Sequence, residues 1–160
     1  MNFFYFILFF LAFSFTAGAK TIKVGKQQAV KTIQQALAIA VNGDTVLVDA
    51  GNYKEQNLVI TKTIALIGSN HPVLDGEHQY EIISVKANGV LVDGFKIIHS
   101  GVSSIEDYAG IKIYNVRDVI VRNNIMEDTF FGIYSQYGTN CTIENNHLTA
   151  YGEQEQQSGN

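Results

Sequence analysis

Two pairs of adjacent asparagines occupy the same place in two similar segments of the chain. Asn123 and Asn124 recur as Asn145 and Asn146, and the offset between the pairs also aligns the apolar positions on either side of them. Apolar and polar residues alternate around both pairs, which is the period of a half-buried strand. The sequence therefore repeats a unit made of short strands separated by a turn.

The asparagines indicate what kind of turn this is. Asn adopts left-handed backbone angles more readily than other non-glycine residues, so each pair predicts a sharp corner between two strands. Gly94 aligns with Asn123 at a somewhat longer offset, and glycine takes this conformation without strain. A strand repeat of this length favours a solenoid, in which stacked Asn side chains exchange amide hydrogen bonds. A hairpin with an Asn-Asn turn is the alternative, although a hairpin requires no fixed offset.

We therefore predict an all-β fold, a right-handed parallel β-helix of roughly five coils over residues 44–160. Residues 20–43 are predicted to form an N-terminal cap of one strand and one short helix, because solenoids cover their open core at the end. Thr32 and Gln35 have the spacing of a capping box, and Asn42 and Gly43 are expected to end the helix. The polar segment 152–160 has no capping pattern, which predicts a β-helix truncated at its C-terminus.

Residues 1–19 have the pattern of an export signal. An apolar run over 3–15 is followed by Ala17, Gly18 and Ala19, which predicts a signal peptide cleaved after Ala19. The run is short for a membrane span, yet no Lys or Arg precedes it, so a retained anchor is the alternative. The net charge of −4 is spread over interspersed acids and bases, and without a basic patch no nucleic-acid partner is expected.

Loops of unequal length leave one corner of the predicted coil, after residues 98, 126 and 148. Loops that share one face of a solenoid often form its binding face. We predict a face that docks a protein partner, formed by Glu106, Asp107, Tyr108, Glu127, Asp128, Tyr134 and Tyr137. Two alternatives use the same region. The neighbouring acids would serve a carbohydrate-active enzyme (lyase, hydrolase or epimerase), and the aromatic residues would serve a glycan-binding scaffold.

Metal-ligating residue types are scattered along the chain. They are His71, His78, His99, His147, Met126 and Cys141. Thiolate, thioether and imidazole ligands all suit copper, but no two of these residues have the compact spacing of a dedicated site. Each histidine is therefore predicted to be a surface or turn residue, and Met126 and Cys141 are predicted to face the core. The sequence itself predicts no metal ligands and no catalytic residues.

Several longer segments resemble one family of β-helix proteins. Residues 32–55 resemble the first coil of many pectin-lyase-like β-helices, whereas 64–76, 89–101, 107–113 and 119–134 resemble the NosD-type proteins of nitrous oxide reductase maturation. The resemblance implies a right-handed β-helix and a non-enzymatic accessory role in the periplasm, peripheral to the membrane. It also implies copper as cofactor or cargo. The implied partners are ABC transporter subunits and a copper reductase or copper chaperone.

Overall fold

The computed structural model of the chain describes residues 18–103 and 105–149. Most of the predicted signal peptide, and the C-terminal segment on which the predicted truncation rests, lie outside the described residues. Within the described ranges the chain forms strands β1 to β15 and one short helix, α1. No helix in this part of the chain is long and apolar enough to cross a membrane.

The strands form three parallel sheets. Sheet A has six strands, β1 (Thr21–Val24), β2 (Thr45–Val48), β5 (Ala65–Gly68), β8 (Leu91–Asp93), β11 (Ile120–Arg122) and β14 (Thr142–Glu144). Sheet B has five strands, β3 (Asn52–Tyr53), β6 (Val73–Asp75), β9 (Lys96–Ile98), β12 (Ile125–Glu127) and β15 (His147–Thr149). Sheet C has four strands, β4 (Leu58–Ile60), β7 (Ile83–Val85), β10 (Ala109–Tyr114) and β13 (Phe131–Gln136).

The chain visits sheets A, B and C in turn, and each strand pairs with the equivalent strand of the next coil. The offset between the two Asn pairs is the strand register, because Val121 pairs with Ile143 and Met126 with Leu148. The parallel β-helix predicted from the repeat is therefore confirmed. It has about six turns. Residues 44–160 contribute the five rungs of sheet A that begin at β2, as predicted, and β1 adds a further rung because it pairs in parallel with β2.

The core runs along the axis of the coils. One stack consists of Val46, Leu66, Val92 and Val121, each fully buried and each in register with the next. Every coil contributes an apolar residue to this stack but cannot cover it alone, so burial links neighbouring coils. Each such side chain contributes about 1.5–3 kcal/mol when it is fully buried. This stacking fixes which residues meet at the corners of adjacent coils.

Helix α1 (Ile33–Ile39) covers the first coils, as the sequence predicts. Its apolar face is buried through Ile33 and Ala36, and the helix contacts β1, β2 and β4. Thr32 is the N-cap and accepts a hydrogen bond from the Gln35 amide at 3.2 Å. The prediction that Gly43 ends the helix is wrong. The helix ends at Ile39 with Ala40 as its C-cap, and Gly43 has a φ of 91° in the turn that follows.

Candidate functional site

The turns from sheet A to sheet B form the first corner of the coil, here called the AB corner (residues 94–95, 123–124 and 145–146). Gly94, Asn123 and Asn145, which the sequence predicts as corner residues, all have positive φ, at 79°, 54° and 54°. The second residue of each turn faces inward between the coils. The chain therefore makes the same two-residue turn in three successive coils.

The amide ladder at this corner is formed by Asn124 and Asn146. Asn124 is fully buried, its Oδ1 accepts the Phe95 amide at 3.0 Å, and its Nδ2 donates to Asn146 Oδ1 at 3.0 Å. Asn146 Nδ2 in turn donates to Val121 O at 2.9 Å. Asn123 is exposed and donates instead to Asp93 at 2.9 Å. The first asparagine of each pair thus makes the bend, and the second makes the ladder.

The turns from sheet B to sheet C form the second corner, here called the BC corner (residues 76–82, 99–103, 105–108 and 128–130). Its connections differ in length from coil to coil. The register continues through it, because Ile98 pairs with Glu127, so that the next residues, His99 and Asp128, are stacked on adjacent coils. His99 and Asp128 have φ values of 55° and 52°. The connections after residues 98 and 127 thus leave the solenoid at the same corner.

Two histidines and an aspartate converge at the BC corner. Asp128 Oδ2 lies 3.8 Å from His78 Nε2 and 3.9 Å from His99 Nε2. The two imidazole rings are 4.6 Å apart between centroids. One ligand atom from each of the three residues lies within 4.8 Å of the other two. Such a set of two imidazole nitrogens and one carboxylate oxygen suits a transition-metal ion.

The backbone of a tight turn places His78 beside His99. The turn runs from Gly76 to Gln79, is closed by the hydrogen bond from Gln79 N to Gly76 O at 2.9 Å, and has Glu77 and His78 at positive φ. This combination is typical of a type I′ turn. His78 N also donates to His99 O at 2.9 Å. Two adjacent coils therefore hold the rings together through backbone contacts.

Asp75 lies behind His99 at the end of β6. Its Oδ1 is 2.9 Å from His99 Nδ1, and it also accepts the Glu77 amide at 3.0 Å. Burial by itself raises the pKa of Asp75, but the hydrogen bonds from Glu77 and His99, with the charges of His99 and Lys54, hold that pKa below its ordinary value. Asp75 therefore stays ionised and accepts a hydrogen bond from Nδ1 of His99. The other ring nitrogen of His99, Nε2, faces Asp128 Oδ2, and in the neutral tautomer with its proton on Nδ1 this nitrogen carries the lone pair.

An acidic and aromatic surface adjoins the BC corner at the start of sheet C. A hydrogen bond to Asp107, together with its charge, raises the pKa of the Tyr134 hydroxyl. The Tyr134 ring lies 5.1 Å from Phe131, and Phe131 packs edge-on against Phe130 at 4.9 Å. The Phe131 amide donates to Tyr108 O at 3.2 Å. These contacts bring Asp107, Tyr108 and Tyr134 of the predicted docking face together.

The remaining docking-face residues lie in different surroundings. Glu127 is on sheet B, where its carboxylate pairs with Lys96 at 2.8 Å. Glu106 lies near enough to Tyr114 for its charge to help raise the pKa of that tyrosine. Tyr137 is 79% exposed and follows the opposite end of β13, at the turn toward sheet A. Asp128 lies beside His78 and His99 at the BC corner.

A buried polar cluster lies on the outer side of sheet C. The Tyr114 hydroxyl and the Ser84 hydroxyl both donate to the Glu81 carboxylate, Tyr114 at 2.9 Å. Lys112 Nζ is 3.9 Å from Glu81, and both side chains are at most 6% exposed. Burial, followed by the hydrogen bond to Glu81, raises the pKa of Tyr114. Because the acid and the base are covered, this cluster fits a structural role better than contact with a large substrate.

The other candidate metal ligands do not join the cluster. Met126 is fully buried in the core, and Cys141 packs against the core as a half-buried residue. His147 lies on β15, close to Thr149, and His71 is exposed in the turn before β6. Sequence spacing alone did not single out His78 and His99, because they lie too far apart along the chain to suggest a compact site. The usable signal was the offset of the repeat, which relates His99 to Asp128 just as it relates Gly94 to Asn123.

Comparisons with known proteins agree with this architecture. The family model described as "Right handed beta helix region" matches residues 22–155, so the chain belongs to the right-handed β-helix family. It is also similar to a cell surface glycoprotein of Methanothermus fervidus, with 28% identity over 136 residues. That alignment covers 82% of this chain and 22% of the relative, so the chain spans about a fifth of the relative's length. No solved structure matches the chain.

Proposed function

We propose that this chain is part of an exported β-helix protein that acts by binding partners at the BC corner, and that its partners belong to the maturation of a copper enzyme. The observation that carries the proposal is the convergence of acidic, aromatic and imidazole side chains from neighbouring coils at this one corner. Aromatic residues with polar tips are enriched where proteins bind each other. The resemblance to the NosD-type family supports the copper-enzyme part of the proposal.

Two independent observations support export. The apolar run followed by Ala17, Gly18 and Ala19 has the pattern of a secretory signal. The similar protein of Methanothermus fervidus carries the name of a cell surface glycoprotein. We propose the periplasm as the location, with the protein peripheral to the membrane. ABC transporter subunits and a copper reductase or copper chaperone are the proposed partners.

The contacts made by the acidic side chains of the BC corner favour a binding role over catalysis. Glu127 is paired with Lys96, Asp107 with Tyr134, and Asp128 faces the two histidines. Glycoside hydrolysis requires two carboxylates that act together across one bond. At this corner Glu127 and Asp107 instead each have a partner of their own, and we infer a surface that is recognised by another molecule.

The test is an affinity capture of the complete tagged parent protein from membranes of its own host. We expect the wild type to retain ABC transporter subunits or a copper reductase, and Tyr134→Ser to lose them. Tyr137→Ser is the matched control, because it removes the same type of side chain from the exposed turn after β13, outside the contacts of Tyr134 with Asp107 and Phe131, and should retain the partners. Equal capture by wild type and Tyr134→Ser would contradict the docking surface.

A second function is favoured by the similarity to a cell surface glycoprotein. A surface scaffold that binds glycans would use the same ring cluster of Phe131 and Tyr134, since aromatic faces pack against apolar surfaces of ligands. A glycan array distinguishes the two functions. Glycan binding that is lost in Tyr134→Ser, without capture of any transporter or reductase, would favour the scaffold. Release of reducing or unsaturated sugars would instead favour a carbohydrate-active enzyme.

A further inference from the structure

We infer that His78, His99 and Asp128 form a binding site for a divalent first-row transition ion such as Zn²⁺ or Cu²⁺. The donors are one imidazole nitrogen of each histidine and one carboxylate oxygen, and all three lie within 4.8 Å of one another; Nε2 is the ring nitrogen of each histidine that faces Asp128 Oδ2. The residues come from three successive coils, so an ion bound here would link these coils through side chains as well as through the sheets. The site depends only on these donor atoms and is independent of the partners proposed above.

The distances between the donors are close to those that a bound ion requires. Around a tetrahedral zinc with bonds of about 2.0 Å, neighbouring ligand atoms are about 3.3 Å apart. The distances from Asp128 Oδ2 to the two Nε2 atoms are 3.8 and 3.9 Å. These are too long for hydrogen bonds, and small rotations of partly exposed side chains bring the atoms to ligand distance. The three donor atoms thus surround a common point, and they do not form direct hydrogen-bonded pairs.

The type of donor selects the type of ion. Imidazole nitrogen with carboxylate oxygen suits Zn²⁺, Cu²⁺ and Ni²⁺, whereas Ca²⁺ and Mg²⁺ prefer oxygen donors alone. Cu⁺ prefers thiolate and thioether sulfur. Met126 is fully buried in the core, and the Cys141 thiol contacts the Thr139 carbonyl at 3.4 Å. The residues at the BC corner therefore favour a divalent ion.

Asp75 completes the arrangement as a positioning residue. In metal sites a ligating histidine usually donates its second ring N–H to a carboxylate or carbonyl, which fixes the tautomer and the ring orientation. His99 does this through Nδ1, which lies 2.9 Å from Asp75 Oδ1, and the Asp75 side chain is only 11% exposed. Asp75 and Asp128 also supply two carboxylates beside the imidazoles, and their negative charges offset the charge of a divalent ion.

The accessibility of the donors leaves room for further ligands. The side chains of His78, His99 and Asp128 are 57%, 37% and 47% exposed. Three protein ligands on an exposed corner leave at least one coordination position open to water or to a ligand from another molecule, as at catalytic zinc sites. A partner that docks at this corner would therefore have direct access to the ion.

The test is calorimetric titration of the chelator-treated chain with Zn²⁺ and with Cu²⁺. We expect one equivalent of either ion to bind, and His78→Ala, His99→Ala and Asp128→Asn each to weaken binding by at least about tenfold. His71→Ala and His147→Ala are the matched controls, because both remove a histidine outside the cluster, and they should change the affinity by less than about twofold. Equal weakening by the control variants, or no binding of either ion to the wild type, would overturn the site.

A spectroscopic measurement separates ligation from an indirect structural effect. The electron paramagnetic resonance spectrum of the Cu²⁺ complex should show two imidazole nitrogens in the wild type and one in each single-histidine variant. Asp75→Asn should weaken binding by about 10–100-fold while retaining both nitrogens, since Asp75 orients His99 without touching the ion. A spectrum with both nitrogens in the double variant His78→Ala/His99→Ala would overturn the assignment. Circular dichroism in chelator checks that each variant is folded.

Discussion

The AB and BC corners lie at the two ends of the same sheet B strands but are built in opposite ways. At the AB corner every one of the last three described coils makes a two-residue turn, and the inward Asn side chains make their hydrogen bonds within the solenoid. At the BC corner the connections vary from the short segment 128–130 to the long segment 99–108. The side chains of His78, His99 and Asp128 at this corner project from the coil and remain 37–57% exposed.

The difference separates a corner that holds the coils in register from a corner at which we propose binding. A corner that repeats without change lets identical side chains stack and satisfy each other, so it holds the coils in register. A corner that varies in length cannot form such a ladder, but it brings different residue types from neighbouring coils together. Binding residues are often carried on loops held by a rigid scaffold, and here the AB corner is part of what makes the scaffold rigid.

The largest expected effect of a single substitution comes from the ladder. Asn124→Val removes the acceptor of the buried Phe95 amide and the side-chain donor to the Val92 carbonyl and to Asn146 Oδ1, and leaves the Phe95 amide unpaired. We expect a loss of about 2–4 kcal/mol in the free energy of unfolding, because each unsatisfied buried group costs about 1–3 kcal/mol. Urea unfolding followed by circular dichroism measures it. Asn123→Gly is the matched control and should be nearly neutral, since Gly accepts the φ of 54°; similar losses in both variants would disprove the division of roles within the pair.

The second-largest loss of stability is expected at Gly94, where adjacent coils approach each other closely at the AB corner. Gly94 has a φ of 79°, and a Cβ at this position would lie 2.7 Å from the Gly68 carbonyl oxygen of the preceding coil. Gly94→Asn copies the residue that the next coil uses, yet we expect it to cost about 1–3 kcal/mol because the backbone must shift. Thermal unfolding measures the loss. A melting temperature equal to that of the wild type would show that the AB corner is looser between these two coils.

A smaller and pH-dependent effect is expected at the BC corner. The pKa of Asp75 is held below its ordinary value near 3.8. Its ionised form therefore stabilises the fold above that value, and this contribution is lost as the pH falls through the folded-state pKa. Asp75→Asn should lower the free energy of unfolding by about 1 kcal/mol at pH 6 through the weaker bond to His99.

Urea unfolding of wild type and Asp75→Asn from pH 6 down to pH 2 provides the measurement. The difference between the two proteins should shrink as the pH falls below 4. A difference that stays constant over this range would show that ionisation of Asp75 does not contribute to stability.

The smallest effect on stability is expected at His78. Its φ is 58° and its side chain is more than half exposed, so His78→Gly relieves backbone strain while it removes few contacts. In chelator the free energy of unfolding should change by less than about 0.5 kcal/mol. In the presence of Zn²⁺ the wild type should melt at a higher temperature and the variant should not. A large destabilisation in chelator would contradict the contrast between the two corners, because the BC corner would then also hold the fold.

The repeat could be recognised in the sequence because each of its features follows from a local structural requirement. Alternation at Val121 and Ile143 follows from the period of a strand, and Gly94, Asn123 and Asn145 follow from the need for positive φ. The prediction that ended α1 at Gly43 failed because the chain leaves the helix at Ala40 to enter the first coil. The sequence predicts β1 as a strand of the cap, but this strand is too short to show a repeat, and only the pairing of β1 with β2 assigns it to sheet A.

The sequence by itself determined the parallel β-helix, its register and its structural corner, since each of these depends on a pattern that one coil repeats in the next. Only the tertiary structure decided which residues of the BC corner meet. His78 and Asp128 lie far apart along the chain, in connections of different length, and no repeat relates them. They come within 3.8 Å because the stacked core fixes the spacing of the coils, and because one tight turn folds His78 back over His99. The binding residues are therefore joined by coil stacking, which is a property of the whole solenoid.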